Sequence, residues 1–262
     1  MHQEEIYTKI KELETEKRYH EHATPIKWER MQKVDENYKY LKTKPLGKVA
    51  HASLRGLIGV AKYPITRLRY RLKVKGRANL KGINNAIAVI NHVDEFDCMI
   101  AVRALRYKKV YITVGEFNNF KNLLGSMLRA WGTMPIAESV AAQKNMINAA
   151  ETILKKKNRV ILFYPEGSMW QDYEKPRPHL RGAYHYAVKF NLPVVPLFIT
   201  FPPERNKKKF KRHAVVHILP PIYPNQDLPR AQNITNMTNL GFESFKNCYE
   251  SVYNKKCDIK QE

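Results

Sequence analysis

The chain has 262 residues, of which 44% are hydrophobic, so it is long and apolar enough for one large domain with its own core. Lys and Arg number 46 against 24 Asp and Glu, and the net charge of +22 predicts an anionic partner. The three cysteines are scattered and do not have the spacing of metal ligands. No apolar run reaches the ~18 residues of a membrane-spanning helix, and the acidic first residues do not predict a signal peptide. We therefore expect a cytoplasmic protein.

The first 36 residues mix both charge signs and contain few large apolar side chains. The spacing of Ile6, Ile10 and Leu13 predicts a short helix. With so little apolar surface to bury, we expect this arm to be solvated or frayed.

A strongly basic stretch follows the arm. No Asp or Glu occurs at residues 37–93, whereas residues 39–81 contain 13 Lys and Arg. Apolar residues recur there at helical spacing, and Pro64 predicts two short helices instead of one. These apolar residues are Leu54, Leu57, Ile58, Ala61, Ile65, Leu68 and Leu72.

Such a basic amphipathic pair is typical of an element that lies on an anionic membrane surface, where each basic residue contributes about 1 kcal/mol. The alternative is a pair packed on its own domain with a solvated basic face. The membrane surface is preferred over nucleic acid as the partner, because the sequence has no helix-turn-helix, zinc-finger or aromatic RNA-binding signature.

From residue 86 onward, predicted strands and helices alternate. The strands are 86–90, 109–114, 159–164, 194–201 and 214–219; the helices are 95–105, 117–131, 139–156, 180–190 and one after Asn239. This order predicts an α/β fold, with a largely parallel sheet flanked by helices and an N-terminal basic amphipathic helical arm. We assign residues 1–72 to the charged arm and membrane-docking helices, and residues 73–262 to the α/β domain. Residues 202–212 form a predicted basic loop.

His92 lies where the first predicted strand gives way to a helix, and Asp97 follows within reach. A histidine with a carboxylate on its second ring nitrogen is the usual make-up of a general base. Asp94 and Glu95 leave open which carboxylate pairs with His92 and which caps the helix. Because no Gly-x-Ser-x-Gly motif supplies a nucleophile, such a base suits a substrate that brings its own hydroxyl. A structural, hydrogen-bonded histidine is the alternative.

Residues 163–168 follow another predicted strand and read Phe-Tyr-Pro-Glu-Gly-Ser. Ligands gather at the carboxyl ends of parallel strands, so this loop and the His92 loop are predicted to face one crevice. Glu166 could bind substrate hydroxyls, and the turn at Gly167 could aim N–H groups at an oxyanion. The alternative is an ordinary strand-to-helix turn.

Together the motifs at residues 91–97 and 164–168 resemble the PlsC-type glycerolipid acyltransferases, whose signatures are His-x4-Asp and Phe-Pro-Glu-Gly-Thr. Further similar blocks follow in order at residues 132–136, 181–183 and 192–197. The resemblance implies acyl transfer from acyl-CoA or acyl-carrier protein to a lipid hydroxyl, with no metal and no other cofactor. It implies that His92 is the base and Asp97 its orienting partner, and that Glu166, Gly167 and Ser168 bind the acceptor and support the oxyanion.

The chain departs from the family where the family carries cations. The residues at those positions are Val114, Glu138 and Met169. Either other cations hold the acceptor phosphate, or the acceptor is not lysophosphatidic acid. The candidate replacements, which follow the second motif, are Lys175, Arg177 and Arg181.

We therefore predict a peripheral enzyme on the inner face of the cell membrane. Its default reaction converts a lysophospholipid, 1-acylglycerol-3-phosphate, into phosphatidic acid. Two alternatives remain: another lysophospholipid or glycolipid acceptor, or a non-catalytic protein of this fold that binds membranes or nucleic acid. The apolar positions of the 117–131 helix are interpreted as core or as the lining of an acyl-chain tunnel.

Overall fold

The computed structural model describes residues 2–26, 31–41, 45–106, 109–202 and 213–261. The α-helices are α1 (Gln3–Thr15), α2 (Pro45–Pro64), α3 (Asp97–Ala104), α4 (Leu123–Trp131), α5 (Val140–Leu154), α6 (Gly182–Phe190) and α7 (Arg230–Tyr253). The strands are β1 (Lys73–Lys75), β2 (Ala86–Ile90), β3 (Lys109–Gly115), β4 (Thr133–Ile136), β5 (Arg159–Phe163), β6 (Val194–Thr200) and β7 (Val215–Ile218).

These strands form one sheet in the order β1-β7-β6-β2-β5-β3-β4. All neighbouring pairs are parallel except β6 and β7. The predicted α/β fold with a largely parallel sheet is confirmed. β2 lies at the centre, and all five of its residues are buried.

The two faces of the sheet are covered by different helices, because successive strand residues point to opposite sides. Ala88 and Ile90 of β2 pack in one cluster with α3 and with Trp131 of α4, and α2 lies against both of those helices. Ile87 and Val89 pack in a second cluster with α5, α6 and α7. The carboxyl ends of β2, β5 and β3 therefore meet at one edge of a three-layer structure.

Pro64 does not divide the basic stretch into two helices as predicted. α2 extends to Pro64 and continues directly into a π-helical turn, Ile65–Arg69. Proline lacks the N–H that the α-helical ladder requires, and the wider π-helical register accommodates it. In the described part of the chain, no helix is both long enough and apolar enough to cross a membrane.

The N-terminal arm is not solvated or frayed, contrary to the sequence-based expectation. In α1, Ile10 and Leu13 are buried and pack in one cluster with Ala23 and Trp170. The indole ring of Trp170 supplies the apolar surface that the arm lacks in its own sequence.

Some predictions fall outside the described residues. They concern the basic loop from residue 203 to residue 212 and the side chains at positions 57, 58, 61 and 65 of the apolar stripe.

Candidate active site

His92 and Asp97 form a hydrogen-bonded pair at the carboxyl end of β2. Nδ1 of His92 lies 2.6 Å from Oδ2 of Asp97, whose side chain is 1% exposed, whereas the His92 side chain is 25% exposed. Because an ionised carboxylate can only accept, the proton of this bond belongs to Nδ1 and leaves a lone pair on Nε2. No described residue hydrogen-bonds to Nε2, so this atom can accept a proton from a substrate.

Tyr164 holds both members of this pair, a role that the sequence analysis did not assign. Its hydroxyl donates to Oδ1 of Asp97 over 2.8 Å, and its ring stacks on His92 with centroids 4.0 Å apart. Burial, followed by the charge of Asp97, raises the pKa of Tyr164 well above its usual value. The hydroxyl therefore stays protonated and remains a donor to the carboxylate.

The structure settles which carboxylate pairs with His92. Asp94 accepts from the hydroxyl of Tyr70 and from the N–H of Phe96, and Glu95 is exposed. Asp94 therefore closes the turn that precedes α3, and Asp97 is the residue paired with His92.

Glu166 joins the two predicted loops from a buried position, 1% exposed. Its Oε2 accepts from the backbone N–H of His92 at 3.1 Å and from Nη2 of Arg177 at 2.8 Å, and its Oε1 accepts from the N–H of Arg177 at 3.1 Å. The two predicted loops therefore lie side by side at the carboxyl ends of β2 and β5. Both oxygens of Glu166 already accept from donors of the protein itself, and its binding of substrate hydroxyls stays a prediction.

Arg177 is fully buried and belongs to the same network. Nη1 donates to Oγ of Ser168 over 2.9 Å, and the guanidinium lies 4.5 Å from the centre of a Trp170 ring. Burial lowers the pKa of Arg177, and the charge of Glu166 opposes that effect. Both Arg177 and Ser168 are 0% exposed, so neither is placed to bind an acceptor as the sequence suggested.

Of the other two predicted phosphate-binding cations, Lys175 is paired with described carboxylates of the protein and Arg181 is not. Nζ of Lys175 lies 2.9 Å from carboxylate oxygens of both Glu14 and Asp258, so its charge is already paired. Arg181 is exposed just before α6, and no described acidic side chain forms an ion pair with it. Arg181 is thus the predicted cation that remains open to a ligand.

Gly167 has a structural reason to be glycine. Its φ of +79° lies in the left-handed region, and its N–H donates to the carbonyl of Tyr164 over 3.1 Å. This N–H closes the turn, and the oxyanion role expected of the N–H groups around Gly167 stays a prediction.

The N-terminal segment 17–25 borders the site, which the sequence analysis missed. Nε1 of Trp170 donates to the carbonyl of Glu21 over 2.8 Å, and Nδ1 of His20 lies 3.1 Å from the carbonyl oxygen of Glu166. These partners are more than 140 residues apart in the sequence, and no local pattern signals the contact.

The predicted apolar face on residues 117–131 is divided in the structure. Trp131 is buried, but Leu123 is 76% and Leu124 is 51% exposed at the start of α4. Residues 116–118 form a separate 3-10 turn, and Asn122 caps α4 by accepting from the N–H of Gly125.

Among the described residues, no three His, Cys, Asp or Glu side chains gather as a metal site would require.

Comparisons with known proteins agree with this geometry. A family model described as Acyltransferase matches residues 71–200, which include both loops. Among solved structures, the crystal structure of PlsC, the 1-acyl-sn-glycerophosphate (LPA) acyltransferase from Thermotoga maritima, is similar. Its TM-score is 0.56 at 17% identity, and the match covers 84% of this chain and 87% of that one. No curated protein matches the chain. The family match thus identifies residues 71–200 as an acyltransferase domain, and the enzyme shares its fold with PlsC.

Proposed function

We propose that the enzyme transfers a fatty acyl group from acyl-CoA or acyl-carrier protein to the hydroxyl of a glycerolipid. The preferred acceptor in this proposal is 1-acylglycerol-3-phosphate, and the product is phosphatidic acid. The observation that carries the proposal is the His92–Asp97 pair, with Nε2 of His92 unpartnered among the described residues and the His92 side chain 25% exposed.

In the proposed reaction, Nε2 of His92 takes the proton of the acceptor hydroxyl while the hydroxyl oxygen attacks the thioester carbonyl carbon. Asp97 keeps the proton on Nδ1 and stabilises the imidazolium that forms. The carbon–sulfur bond then breaks, and the imidazolium returns the proton to the leaving sulfur. The products are an ester and a free thiol, and His92 is neutral again.

Arg181 is the residue that we assign to an acceptor phosphate. Arg181 follows Leu180, whose N–H donates to the carbonyl of Pro165 over 2.7 Å. The backbone of Arg181 therefore lies beside the Glu166 loop, and its side chain is exposed. A guanidinium can bind phosphate through two parallel N–H donors.

We also propose that α2 and α4 dock on the inner face of the cell membrane. α2 and the π-helical turn expose large apolar side chains, and Leu123 and Leu124 of the adjoining α4 continue this surface. The exposed side chains of α2 and the turn are Val49, Val60, Tyr63 and Leu68. Arg67, Arg69 and Arg71 are also exposed there. Apolar side chains beside basic ones suit insertion into an anionic surface.

An acceptor panel tests the proposal. Labelled acyl-CoA and acyl-carrier protein would each be offered with lysophosphatidic acid, other lysophospholipids, a glycolipid and monoacylglycerol. Labelled phosphatidic acid as the main product supports the proposed acceptor. Labelling of a neutral acceptor alone overturns the phosphate assignment, and the absence of any transfer overturns the proposed reaction.

A further inference from the structure

Basic side chains lie together at the amino ends of β3 and β5, the edge of the sheet opposite the catalytic pair. Lys109 begins β3 and Arg159 begins β5, and the two residues are partners in the parallel register, so their side chains leave the same face side by side. β3 and β5 run parallel to β2, whose carboxyl end carries His92. Because β3 has seven residues and spans about 20 Å, the two places are well separated.

Arg55 of α2 brings a third cation to the same corner. Its Nη2 donates to the carbonyl of Val110, on the part of β3 that β4 does not reach. The guanidinium lies 4.8 Å and Nζ of Lys109 lies 5.8 Å from the centre of one ring, that of Tyr111. Gly132 leaves the space for Arg55, because a Cβ at that position would collide with its Nη1. We call Arg55, Lys109 and Arg159 the amino-edge cluster.

The turn before β5 fixes the position of Arg159. Nδ2 of Asn85 donates to two backbone carbonyls at the end of α5, and its Oδ1 accepts from the N–H of Arg159 at 2.9 Å. Nη1 of Arg159 donates to the carbonyls of Lys157 and Asn158, and no described residue accepts from its Nε or Nη2. These two donors are therefore held in place for a ligand, which lowers the entropy cost of binding one.

The amino-edge cluster lacks a counter-charge among the described residues. Its three side chains are half-buried, and none of them forms an ion pair with a described carboxylate. Glu151, the acidic residue that precedes the turn, is paired with Lys155. Burial lowers the pKa of Lys109, and the positive charges of Arg55 and Arg159 lower it further. Since like charges held close together disfavour one another, a bound anion would stabilise this arrangement.

We propose that the amino-edge cluster is a second, non-catalytic site that binds the phosphate of a phosphomonoester. Such a phosphate carries a charge of about −1.5 to −2 at pH 7, which three cations can balance. The two guanidinium groups supply the paired N–H donors that phosphate oxygens accept. The site lies across the sheet from His92, so it is additional to the proposed function and does not depend on the acceptor. The phosphate belongs either to a membrane lipid or to a soluble compound.

Calorimetry with inorganic phosphate at constant ionic strength tests the site. We expect the double variant Lys109→Gln/Arg159→Gln to bind phosphate about tenfold more weakly than wild type, equivalent to 1.4 kcal/mol. The control is Lys189→Gln/Arg230→Gln, which removes the same charge from exposed positions on α6 and α7 and should bind as wild type does. Equal binding by all three proteins, or an equal loss in the two variants, would overturn the proposal.

Acetylation of wild-type lysines locates the bound phosphate without any substitution. Saturating phosphate should remove most of the reactivity of Lys109 toward an N-hydroxysuccinimide ester of acetate. Lys189, which is exposed on α6, should react equally with and without phosphate, and mass spectrometry of peptides reads both residues. Unchanged reactivity of Lys109 contradicts the site even if the double variant does not fold. Neither experiment requires acyl transfer, so failure of the proposed reaction leaves both informative.

Vesicles distinguish a lipid headgroup from a soluble ligand. Phosphatidylcholine vesicles would contain either phosphatidic acid, whose headgroup is a phosphomonoester, or phosphatidylglycerol at equal surface charge. If Lys109→Gln/Arg159→Gln co-sediments less only with phosphatidic acid, the site takes a lipid. If its co-sedimentation is unchanged while its affinity for phosphate falls, the site takes a soluble phosphomonoester. An equal loss on both kinds of vesicle would mean a general electrostatic contact and would contradict a phosphomonoester site.

Discussion

The hydroxyl of Tyr164 and the carboxylate of Asp97, 67 residues apart in the sequence, lie 2.8 Å from each other in the site. This bond places a second donor on the carboxylate that orients His92, and it connects the two loops beside the reactive nitrogen. The geometry of the His92–Asp97 pair therefore depends on the loop after β5 as well as on its own loop.

The substitution Tyr164→Phe removes this bond and keeps the stacked ring. A hydrogen bond to a charged group contributes about 1.5–3 kcal/mol, and we expect kcat to fall about tenfold. The KM for each substrate should stay within about twofold, because no substrate contact is lost. Steady-state kinetics of the two proteins provide the test, and an unchanged kcat would show that the Tyr164 hydroxyl does not support the pair.

Arg177 and Glu166 form a fully buried ion pair, so Arg177→Met should be strongly destabilising. It leaves the Glu166 charge without its main partner, which costs about 3–5 kcal/mol. Urea unfolding measures this loss. The matched control is Lys175→Met, whose partly exposed ion pairs should be worth less than about 1 kcal/mol. Equal losses in the two variants would contradict the structural role assigned to Arg177.

His179 predicts a loss of stability in acid. It is buried, its Nδ1 lies 2.6 Å from the Tyr184 hydroxyl, and burial lowers its pKa to about 3. A histidine whose pKa is lower in the folded state contributes full stability above its unfolded pKa of about 6.5 and loses it as the pH falls toward the folded value. Between pH 7 and pH 5, this group alone should lower the free energy of unfolding by about 2 kcal/mol.

Urea unfolding of wild type and His179→Gln at pH 8, 7 and 5 measures this contribution. The variant should lose about 2 kcal/mol less than wild type between pH 7 and pH 5. Between pH 8 and pH 7, the two proteins should change alike. Parallel curves over the whole range would mean that His179 is protonated in the folded state.

The exposed apolar surface of α4 predicts how the enzyme binds lipid. Leu123→Glu should weaken co-sedimentation with vesicles that contain phosphatidylglycerol, since it places a charge at the proposed membrane contact. It should leave Tm unchanged, because Leu123 is 76% exposed and a carboxylate is favourable in a first helical turn.

Leu240→Glu is the control, on the helix layer that covers the other face of the sheet. Leu240 belongs to α7 and is 46% exposed, so the chemical change is the same and the location differs. If both variants bind the vesicles as well as wild type does, the proposal that α4 contacts the membrane is wrong.

The sequence predicted the buried strands well, because each is a short continuous apolar run. β2 was predicted at residues 86–90, where the structure has it, and β5 and β6 were predicted one residue too long. β1 was missed because its sequence is Lys-Val-Lys, with one apolar residue at the edge of the sheet. β4 contains Pro135, which is tolerated because this strand also lies at an edge.

In the site, the sequence predicted the pair of His92 and Asp97 because both residues lie in one local motif. It did not predict that Glu166 and Arg177 bind each other, since nothing in the spacing of charged residues reports their burial. The contact of segment 17–25 with the Glu166 loop joins distant parts of the chain, so it becomes visible only in the folded structure.

The rate of acyl transfer by His92→Ala tests the central proposal most directly. General base catalysis contributes about 10²–10⁴-fold, so kcat with acyl-CoA and the best acceptor should fall at least about 100-fold. The variant should keep the Tm of wild type, because the His92 side chain is partly exposed. A folded His92→Ala enzyme with undiminished kcat would contradict the assignment of His92 as the base.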